Sequence, residues 1–159
     1  MFFYDYAHLV LNLISARAKS ISGSGLCYLA LCTAEPNPDG SSLNEISTID
    51  YPSYERILLS ANDSLDLNNI WGSPAKGVLT STKPFSGDSQ CEEAGGWPEA
   101  THWVLFNAKT GGNPMVGDVF RDPDGEPDTT TGLYPQTTLK VGHKQVPVFR
   151  KGALQLTLK

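Results

Sequence analysis

Apolar residues in this chain gather into short runs separated by Gly, Pro and polar stretches, and the run that organises the rest is 97–115, reading WPEATHWVLFNAKTGGNPM. Residues 101–108 are β-branched, aromatic and aliphatic. Side chains alternate along a strand, so Trp103 and Leu105 share one face while His102, Val104 and Phe106 share the other. Both faces are mostly apolar, which predicts a central strand covered on both sides. Pro98 precedes the run, and Lys109-Thr110-Gly111-Gly112-Asn113-Pro114 breaks it, so a turn and a second strand from about Met115 follow. Gly111 and Gly112 are expected to supply positive φ there.

The same logic extends along the chain. Residues 26–33 (LCYLALCT) read as another central strand, and 54–60 as a strand with Arg56 among apolar neighbours. Residues 35–44, 85–96 and 121–135 read as polar loops. The stretch 139–149 looks like a hairpin about Gly142-His143. In 153–159, Leu154, Leu156 and Leu158 alternate with Gln155, Thr157 and Lys159, which predicts a half-exposed closing strand with the leucines inward. Only 2–19 has helical spacing: Phe2, Phe3, Tyr6, Leu9, Val10, Leu13 and Ile14 repeat at three and four, opposite Asp5, His8, Asn12, Ser15 and Lys19. That helix packs on its own domain or docks on another subunit, and 20–25 (SISGSG) is its flexible link. The expected architecture is mainly β, an antiparallel β-sandwich of about seven or eight strands. It forms one domain over 1–159, with an N-terminal helix in 1–20 and the sandwich in 26–159.

Charge and cysteine usage narrow the function. A formal net charge of −5 and no long Lys/Arg cluster argue against nucleic acid. The N-terminus has no basic lead or long apolar run, so neither a secretory signal nor a membrane partner is expected. Cys27 and Cys32, an odd number of positions apart on one strand, would face opposite sides roughly 16 Å apart. With Cys91 they give no CxxC and no zinc spacing, and reduced thiols in a cytosol are expected.

Asp122, Asp124, Glu126 and Asp128 resemble the oxygen-rich start of a calcium loop. Leu133 stands where the pattern wants a carboxylate, so a solvated acidic turn is the reading and no metal or other cofactor is assigned. His8, His102 and His143 belong to no GxSxG elbow, HExxH or other catalytic pattern. Glu92, Glu93 and Glu99 could be imagined as glycosidase carboxylates, but nothing in their spacing sets the needed separation. No catalytic residue is assigned and no enzyme is expected. Trp71 and Trp97 in loops could offer stacking faces to a host-surface glycan, whereas Trp103 on the strand is core. Thr101 and His102 are read as structural, hydrogen-bonded to a neighbouring loop.

The order of blocks resembles a family of tailed-bacteriophage virion proteins labelled tail fibre, minor tail or head-decoration. The positions that carry it are Tyr28, Ala30, Leu31, Thr33 and Pro36; Glu45, Tyr54 and Arg56; Thr101, His102, Phe106, Ala108, Gly111, Gly112 and Asn113; and Gly152, Ala153 and Leu154. The lead into the Thr-His strand (Gly95 to Ala100) and the long 121–135 link depart from that pattern. The resemblance implies a structural virion component, tail-associated or capsid-decorating. It would assemble in the bacterial cytoplasm with other virion proteins as a homo-oligomer, a trimer first. The alternative reading is a host-surface glycan-binding module.

Overall fold

A computed structural model describes residues 27–60 and 78–157. Its strands are β1 (Cys27–Cys32), β2 (Ile57–Ser60), β3 (Val78–Thr80), β4 (Phe85–Ser86), β5 (His102–Phe106), β6 (Pro114–Val119), β7 (Val148–Phe149) and β8 (Gln155–Thr157). All pairings are antiparallel. One sheet has the order β2-β1-β5-β6, and β3-β8 and β4-β7 form two smaller ones. The protein is therefore mainly β, with no helix among the described residues; the helix expected in 1–20 lies outside them.

β5 and β1 sit at the centre of the large sheet, and their alternation sorts the core into two faces. Trp103, Leu105, Leu29, Leu31 and Met115 fall into one buried cluster, joined by Leu79, Phe149, Leu154 and Leu156 from the smaller sheets. Ala30, Cys32, Val104 and Phe106 form a second cluster on the opposite face, with Tyr28 and Leu43 against it. Cys27 and Cys32 accordingly fall into different clusters. All three cysteines are free and buried. Isolated bridges Phe120↔Leu154 and Ala100↔Leu139 tie the large sheet to the chain around it.

Three expectations are corrected. The 139–149 stretch is not a hairpin. After a turn in which Gln145 N–H donates to Gly142 O, it pairs with 85–100 instead: Lys144 N to Cys91 O at 2.7 Å, Cys91 N to Gln145 O at 2.8 Å, Trp97 N to Val141 O at 2.9 Å. Pro147 has no N–H to give a self-paired ladder, but its carbonyl accepts from Gly87 N. Residues 85–96 are correspondingly more than a loop, since they contain β4 and the buried Cys91. Finally, Gln155 does not face solvent; it is 1% exposed. Its amide donates to Thr80 Oγ1 and Gly132 O and accepts from Tyr134 N, because the 121–135 loop folds over that side of β8.

The β5–β6 turn behaves as read, with φ of +60° at Gly111 and +73° at Gly112. A Cβ at Gly111 would meet nothing, whereas one at Gly112 would lie 2.5 Å from Asn107 Oδ1 and 2.7 Å from Ala108 Cβ. Gly111→Ala should therefore cost only the left-handed penalty, about 1–2 kcal/mol. Gly112→Ala should add an overpacking cost of about 1–3 kcal/mol. Urea unfolding of the two variants checks this; equal losses would contradict it.

Candidate functional site

Arg56 precedes the edge strand β2 and turns inward, its side chain 10% exposed. Nε and Nη2 donate to the two oxygens of Glu45 at 2.8 and 2.7 Å, a bidentate fork. Nη1 donates to Ala108 O and Gly111 O in the β5–β6 turn, and the guanidinium lies 3.4 Å from the centre of the Phe106 ring. Tyr54 completes the knot: its hydroxyl donates to Glu45 and accepts from Leu31 N of β1. Burial first, then the Glu45 carboxylate, holds the Tyr54 phenol well above its ordinary pKa. Burial also pushes the Cys27 and Cys32 thiols up to about 12, so neither is a nucleophile at neutral pH.

A second knot gathers Ser53, Cys91, Glu93 and Trp97. The Ser53 amide donates to Glu93 Oε1 at 3.0 Å and its hydroxyl bonds Oε2. The Trp97 indole N–H reaches Ser53 Oγ at 2.9 Å and Glu93 Oε2 at 3.0 Å, and the Cys91 thiol donates to Glu93 Oε2. The Trp97 ring stacks edge-on against Tyr54, which joins the two knots. Trp97 is 5% exposed, so its ring faces are closed to a sugar. Trp71, like His8, lies outside the described residues.

The other candidates are not brought together. Glu92 pairs with Lys144, and Glu99 bonds Thr138 and Lys140, on exposed chain. His102 shares a 2.8 Å hydrogen bond with Thr101, its own neighbour rather than the loop expected. The Thr101 backbone is fixed by Cys32 O and Phe120 N. Partial burial holds His102 below its ordinary pKa, against the opposing pull of Glu35 and Asp118. His143 is exposed in a turn. The acidic loop's oxygens are taken up within the chain: Asp122 accepts from Asp124 N, Asp128 accepts from Thr130 N and Thr131, and Asp124 pairs with Arg150 beyond the loop. Among the described residues no group of His, Cys, Asp and Glu converges as a metal set.

Beside β2 lies a surface cleft of about 220 Å³, lined among others by Tyr28, Glu55, Leu58, Asp88, Lys109 and Pro147. Glu55 and Lys109 pair across it at 2.5 Å. Glu45, Tyr54 and Arg56 belong to the blocks that carry the family resemblance, with no site role attached to them there, and the Ser53–Glu93 contact, 40 residues apart in sequence, leaves no local signal.

Arg56→Ala leaves the partly buried Glu45 carboxylate, 20% exposed, without its cation and should cost no more than the about 3–5 kcal/mol of a fully buried pair. Arg56→Lys keeps the charge but loses the fork and should also destabilise. The double variant Glu45→Leu/Arg56→Met should lose less than Arg56→Ala alone; chemical denaturation of all three measures this, and a larger loss in the double variant would contradict it.

The Ser53 hydroxyl and amide hold Glu93 at about 2, below its ordinary 4.5. A folded-state pKa lowered in this way stabilises the fold fully above the ordinary value, and the contribution disappears as pH falls toward about 2. The melting-temperature gap between wild type and Glu93→Gln should accordingly narrow over that window; a constant gap would contradict the assignment.

The model of the family described as Podophage GP4 fiber I protein gp80 matches residues 6–125, which contain the whole β2-β1-β5-β6 sheet and both polar knots. No curated protein matches the chain. The chain belongs to this phage tail-fibre family.

Proposed function

We propose that this fibre-family subunit works by assembly within the virion, as a tail-associated homo-oligomer that contacts other virion proteins. The observation that carries this reading is the use the chain makes of its polar chemistry. Arg56, Glu45, Tyr54, Ser53 and Glu93 are spent on holding segments of the same body together, and the acidic loop bonds its own backbone. A body stabilised in that way offers surfaces of fixed shape, which is what a particle subunit uses. Three buried free cysteines suit folding in a reducing host cytoplasm before release. A trimer is the first assembly to look for, with 2–19 as a candidate docking helix.

Two measurements test it. Antibody against the purified protein should label intact particles at the tail; label confined to cell debris would overturn the virion assignment. Light scattering should give a trimer mass for the full chain and a smaller mass without residues 1–20. A monomer in both would place 2–19 in the fold of its own subunit and overturn self-assembly.

A further inference from the structure

Four large apolar side chains stand exposed among the described residues: Ile49, Leu58, Val146 and Val148. Ile49 is alone on a turn, but the other three occupy two places that complement each other. Leu58, 43% exposed, sits on β2, the outermost strand of its sheet, and lines the 220 Å³ cleft. Around the cleft, Glu55 and Asp88 face the single ammonium of Lys109, because Arg56 is already neutralised by Glu45. The rim is thus acidic by one charge.

The second place is the strip through β7. Val146, Val148 and Arg150 are exposed while Pro147 and Phe149 between them are buried, the alternation of an extended chain. The strip is therefore apolar at its centre and basic at its ends, where Arg150 and the preceding Lys144 stand. Those cations pair with Asp124 and Glu92 within the chain, but each of the four side chains is more than half exposed, and such pairs exchange readily. The strip cannot fill its own cleft. Pro147 is the residue that lines it, so the flanking valines project to the other side.

We infer that the Val146–Val148–Arg150 strip of one copy seats on the Leu58 cleft of a second copy, a head-to-tail contact between unlike surfaces of the same chain. This rests on the self-assembly reading above and names the surfaces that carry it. Apolar centres meet while rims of opposite charge set the orientation. A contact of two different patches closes into a ring when the rotation permits, and a ring is the route by which a small patch yields a stable particle. Because the rim charges are exposed, salt of about 0.5 M should weaken the association.

The test is the solution mass of the full chain over a range of concentrations, for wild type, Leu58→Lys and Val148→Glu. Both positions are exposed, so both variants should melt within a few degrees of wild type; Asp88→Lys and Val146→Glu replace either one that does not. Each variant alone should associate at least about tenfold more weakly. Mixed together, they should form a one-to-one dimer and stop there, because the first keeps an intact strip and the second an intact cleft. Unchanged association in both variants would overturn the assigned surfaces and leave self-assembly standing. Loss in both with no dimer on mixing would overturn the head-to-tail geometry. A wild-type monomer at every concentration would overturn self-assembly itself.

Discussion

The structure depends on one buried ion pair. Arg56 and Glu45 are mostly withdrawn from water, at 10% and 20% side-chain exposure, and removing two charges from solvent is costly on its own. The cost is offset because four of the five guanidinium N–H donors find acceptors, two carboxylate oxygens and two turn carbonyls, with an aromatic face beneath. A pair like this adds little net stability against an apolar replacement of equal volume. What it contributes is position. Glu45 is bridged to the last residue of β1, Tyr54 bonds the residue before it, Leu31, and the Arg56 carbonyl partners lie in the β5–β6 turn, so one side chain fixes where three segments meet.

From that point the two polar knots divide the labour. The first sets the end of the central sheet, and the second brings the 85–97 stretch against Ser53. Tyr54 packs edge-on against Trp97, so the two knots share a ring contact. The cleft beside β2 is a product of both: Glu55 and Arg56 border it from one side, Asp88 and Ser89 from the other. The walls of this cleft are held by hydrogen bonds between distant segments rather than by loop conformation alone.

The chain's chemistry is inert where it is buried. Thiols pushed to about 12 do not exchange at neutral pH, and the donors around the partly exposed Glu93 carboxylate hold its pKa at about 2.

The sequence alone determined what depends on near neighbours. Period-two alternation in 101–108 set both faces of β5, the Gly111-Gly112 pair set the turn, and the separation of Cys27 from Cys32 set their opposite faces; each is a consequence of local backbone geometry. The spread of matching blocks also gave the family, including Glu45, Tyr54 and Arg56. Only the tertiary structure decided which segment pairs with which. The 139–149 stretch had the local pattern of a hairpin, yet its hydrogen bonds go to 85–100. Gln155 had the pattern of an exposed residue until the 121–135 loop covered it. Trp97 read as a loop aromatic free to stack, and Ser53 with Glu93 buried it. Backbone pairing and the burial of polar side chains depend on contacts made across tens of residues, and no local period in the sequence encodes them.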